Sequence, residues 1–161
     1  MPNRIRLALL FLVLVAFFAA RAGAAQAGGV GGEPHARRPP TAASDEAKIV
    51  GYARRLLGVR YSYGGSSPGS GFDCSGFTRF VYAHFGVSLP HYSVAQFSLG
   101  RNVSRAGLQP GDLVFFDGLG HVGLYIGHDQ FIHAPHSGTS VSVDSMNGWY
   151  ASRYDGARRV L

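Results

Sequence analysis

Apolar positions recur along this chain with two different periods. Ile49, Val50, Ala53, Leu56 and Leu57 fall on one face of a helix that Ser44 can cap, with Asp45 and Glu46 in its first turn and Gly58 as its stop. Phe77, Phe80, Val81, His84 and Phe85 repeat the helical spacing from about Cys74 onward, and Gly86 stands where that helix would end. Ser93 to Leu99 makes a third, shorter amphipathic stretch. Beyond the turn signal Pro110-Gly111 the period shortens to β-rich runs at Asp112–Phe116, Val122–Ile126, Phe131–Ala134 and Val141–Val143, with Arg158–Leu161 as a closing strand. Helices first and strands afterwards predict an α+β domain rather than alternating β-α units.

Two segments precede that domain. Arg4 and Arg6 are followed by an unbroken apolar run from Leu7 to Ala20 and then by the small-residue sites Ala22-Gly23-Ala24 and Ala25-Gln26-Ala27, the order of a secretory signal peptide over residues 1–27. A short membrane anchor is the competing reading, but the run falls below the roughly 20 apolar residues a bilayer span needs, so no stable membrane anchor is expected after cleavage. Residues 28–43 (GGVGGEPHARRPPTAA) have the Gly, Pro and Ala content of a flexible linker, which leaves a domain at 44–161. Of the 15 Lys and Arg residues, Arg4, Arg6 and Arg21 belong to the leader, so the remainder has 12 basic against 9 acidic residues, a net charge of only +3. That balance gives no basic stripe for nucleic acid.

Cys74 is the only cysteine in the chain, so it has no intramolecular disulfide partner. It stands in Gly71-Phe72-Asp73-Cys74-Ser75-Gly76, after a glycine-rich loop (Gly64 to Gly71) and at the first turn of the second helix, where free backbone N–H groups favour a thiolate and predict a lowered thiol pKa. A buried, inert cysteine is the alternative on this segment alone. Among seven histidines, placement separates two: His121 opens a strand, and His133 lies inside the next apolar strand, where an unpaired ring would cost free energy. With Gly127-His128-Asp129 as a three-residue hairpin loop, His133 comes opposite Gly123 and diagonal to His121 on one face, and the rings can meet. A two- or four-residue loop would separate them unless a bulge intervened. His84 reads as a helix residue, His128 as a turn residue, and His91 and His136 as loop residues.

Tyr61-Ser62-Tyr63-Gly64-Gly65, Phe72-Asp73-Cys74-Ser75-Gly76-Phe77, Leu89-Pro90-His91, Leu108-Gln109-Pro110-Gly111-Asp112-Leu113-Val114-Phe115-Phe116, His121-Val122-Gly123-Leu124-Tyr125-Ile126-Gly127 and Phe131-Ile132-His133-Ala134 follow one another in order. Together they resemble the signature blocks of the NlpC-type cell-wall peptidases, over nearly the whole domain. The resemblance implies a papain-like α+β fold, with N-terminal helices packed on a mainly antiparallel sheet. It further implies Cys74 as nucleophile, His121 as general base, His133 as the group that orients it and Tyr61 as an oxyanion donor. Asp73 and Ser75 would lie near the amino side of a substrate, although Asp73 also suits helix capping. The function implied is a periplasmic or secreted cysteine endopeptidase acting on peptidoglycan peptide, monomeric and without metal or cofactor. A catalytically silent wall-peptide-binding module and a secreted amide-hydrolase effector are the alternatives. The chain carries no H-E-x-x-H and no Cys-x-x-Cys, so no zinc set is expected. Two departures stand out: the long loop Ser66 to Gly71, and His91 where arginine is common in the family.

Overall fold

The computed structural model describes residues 40–161. The expected leader, residues 1–27, and residues 28–39 of the expected linker lie outside the described residues. Helix α1 spans Pro40–Arg54, so it begins five residues before Asp45, where a cap at Ser44 would start it. A short antiparallel hairpin follows, β1 (Ser66–Ser67) with β2 (Gly71–Phe72), inside what sequence reads as plain loop. Then come α2 (Cys74–Ala83), α3 (Ser93–Phe97), and strands β3 (Arg101–Val103), β4 (Leu113–Phe116), β5 (His121–Gly127), β6 (Gln130–His133), β7 (Ser142–Ser145) and β8 (Tyr154–Arg159).

The last six strands form one sheet in the order β3-β8-β4-β5-β6-β7, every described pairing antiparallel. One face packs against the helices: Leu113, Phe115, Val122, Leu124, Ile126, Ile132 and Ala134 join Ile49, Ala53, Phe77 and Val81 in a single buried cluster. The opposite face buries Val114, Phe116, Tyr125, Phe131, Met146 and Ala157, with Tyr150 and Tyr154 laid over it from the 3-10 turn at Gly148–Arg153 and the head of β8. Covering both faces is what lets the strands read as nearly continuous apolar runs, where a half-exposed sheet would alternate. The fold is therefore α+β, helices packed on a mainly antiparallel sheet.

Helix α2 holds the centre. Its N-cap is Asp73, whose Oδ1 accepts from the Gly76 N–H at 2.7 Å. At the other end Gly86 takes φ 77° and closes a Schellman arrangement, Gly86 N–H to Ala83 O and Val87 N–H to Tyr82 O, both 3.1 Å. Fully buried Gln96 ties α3 to this helix. Its amide donates to Ser75 O (3.0 Å) and Pro90 O (2.8 Å), and its Oε1 accepts from the Thr78 hydroxyl (2.8 Å). These bonds fix the Leu89-Pro90-His91 segment beside the head of α2. Among the described residues, no helix is long and apolar enough to cross a membrane.

Candidate active site

The head of α2 brings Cys74 into a cleft of about 580 Å³ whose walls include Tyr61, Asp73, Ser75, His91 and Gly120. The approach is close. A Cβ at Gly76 would stand 2.1 Å from the Gly65 carbonyl oxygen, so only glycine lets the glycine-rich loop lie against the first turn. Tyr61 is held from below, its N–H donating to Thr139 O at 2.8 Å.

Strand β5 supplies the second component. His121 Nε2 lies 2.7 Å from His133 Nδ1, and His133 Nε2 lies 2.8 Å from Asp144 Oδ2. The rings of His121 and His133 meet nearly at right angles, centroids 4.9 Å apart. His133 is completely buried, packed on Phe131 and Tyr150. The expected meeting of the two rings is thus present, by a different device from the expected three-residue loop. The hairpin turn holds two residues, His128 and Asp129, both with positive φ as a tight primed turn requires, and Gly127 pairs with Gln130. A register shift between Tyr125 and Gly127 then restores Leu124↔Ile132, which puts His133 opposite Gly123.

The hydrogen-bond order sets the tautomers. An ionised Asp144 only accepts, so His133 carries its proton on Nε2, its Nδ1 accepts from His121 Nε2–H, and the His121 Nδ1 keeps its lone pair. Burial lowers the His121 pKa to about 3, aided by His133 and His136, and burial likewise lowers that of His133 while Asp144 works in the opposite sense. Both rings are neutral at pH 7.

The thiol departs from the sequence expectation. Burial pushes Cys74 above its ordinary pKa; the Val122 backbone N–H draws it back and the neighbouring Asp73 carboxylate adds to the rise. The helix-terminal N–H groups of Ser75 and Cys74 do favour the thiolate, but desolvation outweighs them, and a neutral His121 offers no cation. The Val122 contact sets the thiol beside the His121 end of β5. Among the described residues, Cys74 and His121 make no direct hydrogen bond, as in many ligand-free sites where such bonds are loose. Tyr61 is also raised, by burial first and then by Cys74 and Asp73, so its phenol stays a donor at neutral pH.

Residues 58–159 match the NlpC/P60 family. This chain belongs to the NlpC/P60 family. It is 45% identical over 104 residues to a protein of Listeria seeligeri named probable endopeptidase p60, covering 63% of this chain and 20% of that one. Over 109 residues it is 46% identical to murein DD-endopeptidase MepS/murein LD-carboxypeptidase of Escherichia coli, 65% of this chain and 57% of that one. Among solved structures, an NlpC/P60 family protein from Bacillus cereus superposes with a TM-score of 0.68 at 38% identity, over 72% of this chain and 40% of its own. The peptidoglycan hydrolase RipB of Mycobacterium tuberculosis gives 0.66 at 32% identity, over 78% and 69%. The chain therefore spans about a fifth of the Listeria relative's length and 57% of the Escherichia coli one. The fold is the papain-like one of the NlpC/P60 domains.

Within this NlpC/P60 site, Asp73 is heavily engaged. Oδ1 accepts from Gly76 N–H (2.7 Å) and Ser75 Oγ (3.2 Å), Oδ2 accepts from Gly64 N–H (3.0 Å), and His91 Nε2 lies 2.8 and 2.9 Å from the two oxygens. The family's arginine position is thus filled here by a ring that clamps the helix cap. Ser75 is buried with its hydroxyl turned to Asp73. Asp144 was not singled out by sequence. The signal available was parity: in β7 it lies two residues from Ser142, which pairs with His133. Among the described residues no group of three or more His, Cys, Asp or Glu is placed to hold a metal ion.

Proposed function

We propose that this chain is an exported cysteine endopeptidase that hydrolyses amide bonds in the peptides of peptidoglycan. The observation that carries the reading is the continuous line Asp144···His133···His121, which leaves an unprotonated Nδ1 on the strand end beside the only thiol in the chain. The names of the relatives, endopeptidase p60, MepS and RipB, support the substrate class.

In this reading the Cys74 proton passes to His121 Nδ1 as the sulfur attacks the amide carbonyl, so the thiolate forms in step with substrate. A neutral resting pair suits that order, since neither partner carries a charge into the buried site beforehand. The tetrahedral oxyanion takes hydrogen bonds from the Tyr61 hydroxyl and the Cys74 N–H, each such donor contributing about 2.7–4 kcal/mol of transition-state stabilisation. The His121 imidazolium then gives its proton to the leaving amine as the C–N bond breaks. Water, deprotonated by the same ring, hydrolyses the thioester and returns the thiol. No metal or cofactor takes part. Asp73 and Ser75 shape the amino side of the cleft, with Asp73 acting chiefly as cap. Export rests on the signal-like residues 1–27, which support a periplasmic or secreted mature protein.

Mass spectrometry of material released from purified peptidoglycan tests this. The wild-type protein should release peptide fragments ending at one defined amide, and Cys74→Ala and His121→Ala should release none while keeping the native circular dichroism. A Cys74→Ala protein that still digests the wall ends the peptidase reading, and a wild-type protein that binds fragments without cutting any establishes a silent module instead.

A further inference from the structure

Asp144 is a surface carboxylate aimed at a fully buried ring. Its side chain is 46% exposed while His133 is 0% exposed, and the two are joined at 2.8 Å. The strand register explains how it reaches. Ser142 stands directly across from His133 and Asp144 across from Phe131, so Asp144 is diagonal to His133 on the same face, as His121 is on the other side through Gly123. Three adjacent strands thus align carboxylate, imidazole and imidazole in one line. From its exposed side Asp144 borders a separate groove of about 790 Å³ shared with His136, Trp149 and Tyr150, away from the cleft that holds Cys74.

Resting on the peptidase reading of Cys74 and His121, we infer that Asp144 is a positioning residue that fixes the tautomer of the base through His133. A carboxylate accepts only, so it pins the His133 proton to Nε2. His133 Nδ1 must then accept, which pins the His121 proton to Nε2 and leaves Nδ1 free to take the thiol proton. Without the carboxylate, His133 can hold its proton on Nδ1 instead. That proton would face His121 Nε2, forcing the His121 proton to Nδ1, the nitrogen that has to be empty. Sequence pairs the two histidines but leaves this choice open. The carboxylate decides it, from a position that touches neither thiol nor substrate.

The half-exposed position sets the expected size. Forcing the wrong tautomer in a buried catalytic triad costs about 10⁴-fold in turnover. Here water can enter beside the truncated side chain and accept the His133 Nε2–H part of the time. Asp144→Ala should therefore lower kcat by about 10- to 100-fold with KM nearly unchanged, the range typical of groups that orient a catalytic or metal-bound imidazole. Asp144→Asn replaces the accept-only carboxylate by an amide that can also donate, so it too releases the tautomer and should lower kcat at least as far as Asp144→Ala.

The test uses the whole chain, with kcat and KM on muropeptides and the ring ¹⁵N resonances of His121 and His133, which separate the two tautomers. The expected result is Nε2–H on both rings in wild type, and loss of that single tautomer on both rings in Asp144→Ala and Asp144→Asn, with unfolding midpoints close to wild type. Wild-type kcat in Asp144→Ala with unshifted ring nitrogens overturns the inference. So does a kcat loss that comes with a large fall in stability and unchanged tautomers, which would make Asp144 a structural residue. The nitrogen signals do not need turnover: a wild-type protein that cleaves nothing would sink the peptidase reading, while the Asp144→Ala spectrum would still decide whether the carboxylate sets the tautomer.

Discussion

Gly123 is the point where the geometry of the histidine pair is most exposed to a single methyl group. It lies on β5 between His121 and Tyr125, with a backbone that any residue could adopt, so on chain entropy alone Gly123→Ala should stabilise by about 0.4–1 kcal/mol. Packing opposes this. A Cβ there would stand 2.5 Å from Phe131 Cδ2, 3.0 Å from the Ile132 carbonyl and 3.2 Å from His133 Cβ. Phe131 is fully buried among Phe116, His133 and Tyr150, ring centroids 4.5 to 4.9 Å away, so its ring has nowhere to swing. Overpacking of this kind costs about 1–3 kcal/mol, which exceeds the entropic gain over most of its range. The net destabilisation should lie between zero and about 2.6 kcal/mol, and in a domain of this size each kcal/mol moves the unfolding midpoint by about 3–6 °C. The strain falls on β6, so the 2.7 Å bond between His121 and His133 should lengthen and kcat should drop by more than stability alone explains. Differential scanning calorimetry with muropeptide kinetics at a temperature where both proteins are folded checks this. A Gly123→Ala protein more stable than wild type and equally active would refute the packing argument.

Three further outcomes follow from other parts of the molecule. Because burial raises the Cys74 thiol, iodoacetamide should modify it slowly at mildly acidic pH and steadily faster through neutral into alkaline pH, read by intact mass; a rate flat from pH 5 upward would restore a preformed thiolate. Depressed folded-state pKa values at His121 and His133 mean that the unfolded chain binds more protons below about pH 6.5, so stability present above that pH is lost on acidification at up to about 1.4 kcal/mol per pH unit for each ring. Urea midpoints from pH 7 to pH 4.5 should fall less steeply in His121→Gln than in wild type. Asp112 and Arg159, 1% and 9% exposed and 2.6 Å apart, close the β8 end of the sheet, and Arg159→Met should cost about 3–5 kcal/mol by leaving the carboxylate buried and unpaired; an unchanged midpoint would remove the pair from the account of stability.

The parts legible in sequence were those governed by local period and local capping. The three helices and the five expected strands stand within a few residues of their places, because amphipathic spacing and the Gly86 and Pro110-Gly111 punctuation act over short range. Strand β3 escaped because Arg101-Asn102-Val103 has one buried position and becomes a strand only by pairing with β8, more than fifty residues away. The His121–His133 pairing was legible through parity, yet the turn that produces it was not. A three-residue loop and a two-residue turn with a bulge give the same register, so the pattern of apolar residues cannot tell them apart. Asp144 was out of reach for a related reason: its partner is decided by how the irregular segment from Ala134 to Val141 returns the chain, and nothing periodic encodes that path.

The thiol shows where local reasoning and the folded environment part. A cysteine at a helix N-terminus receives stabilising N–H groups, and sequence carries that half of the balance. The opposing half comes from Tyr61, the glycine-rich loop and β5 closing over the sulfur, together with an Asp73 whose charge lies next door. Asp73 is bound by four donors, so it serves the helix cap and the His91 clamp before it can serve a substrate. With no cation beside it among the described residues, Cys74 is held as a thiol, and on the proposed peptidase reading its reactivity depends on a base of the right tautomer more than on a standing charge. On that reading the line from Asp144 through His133 matters more to this site than the helix dipole does. The dipole acts on a charge that is absent at rest, whereas the hydrogen-bond order decides which nitrogen can receive the proton when substrate arrives.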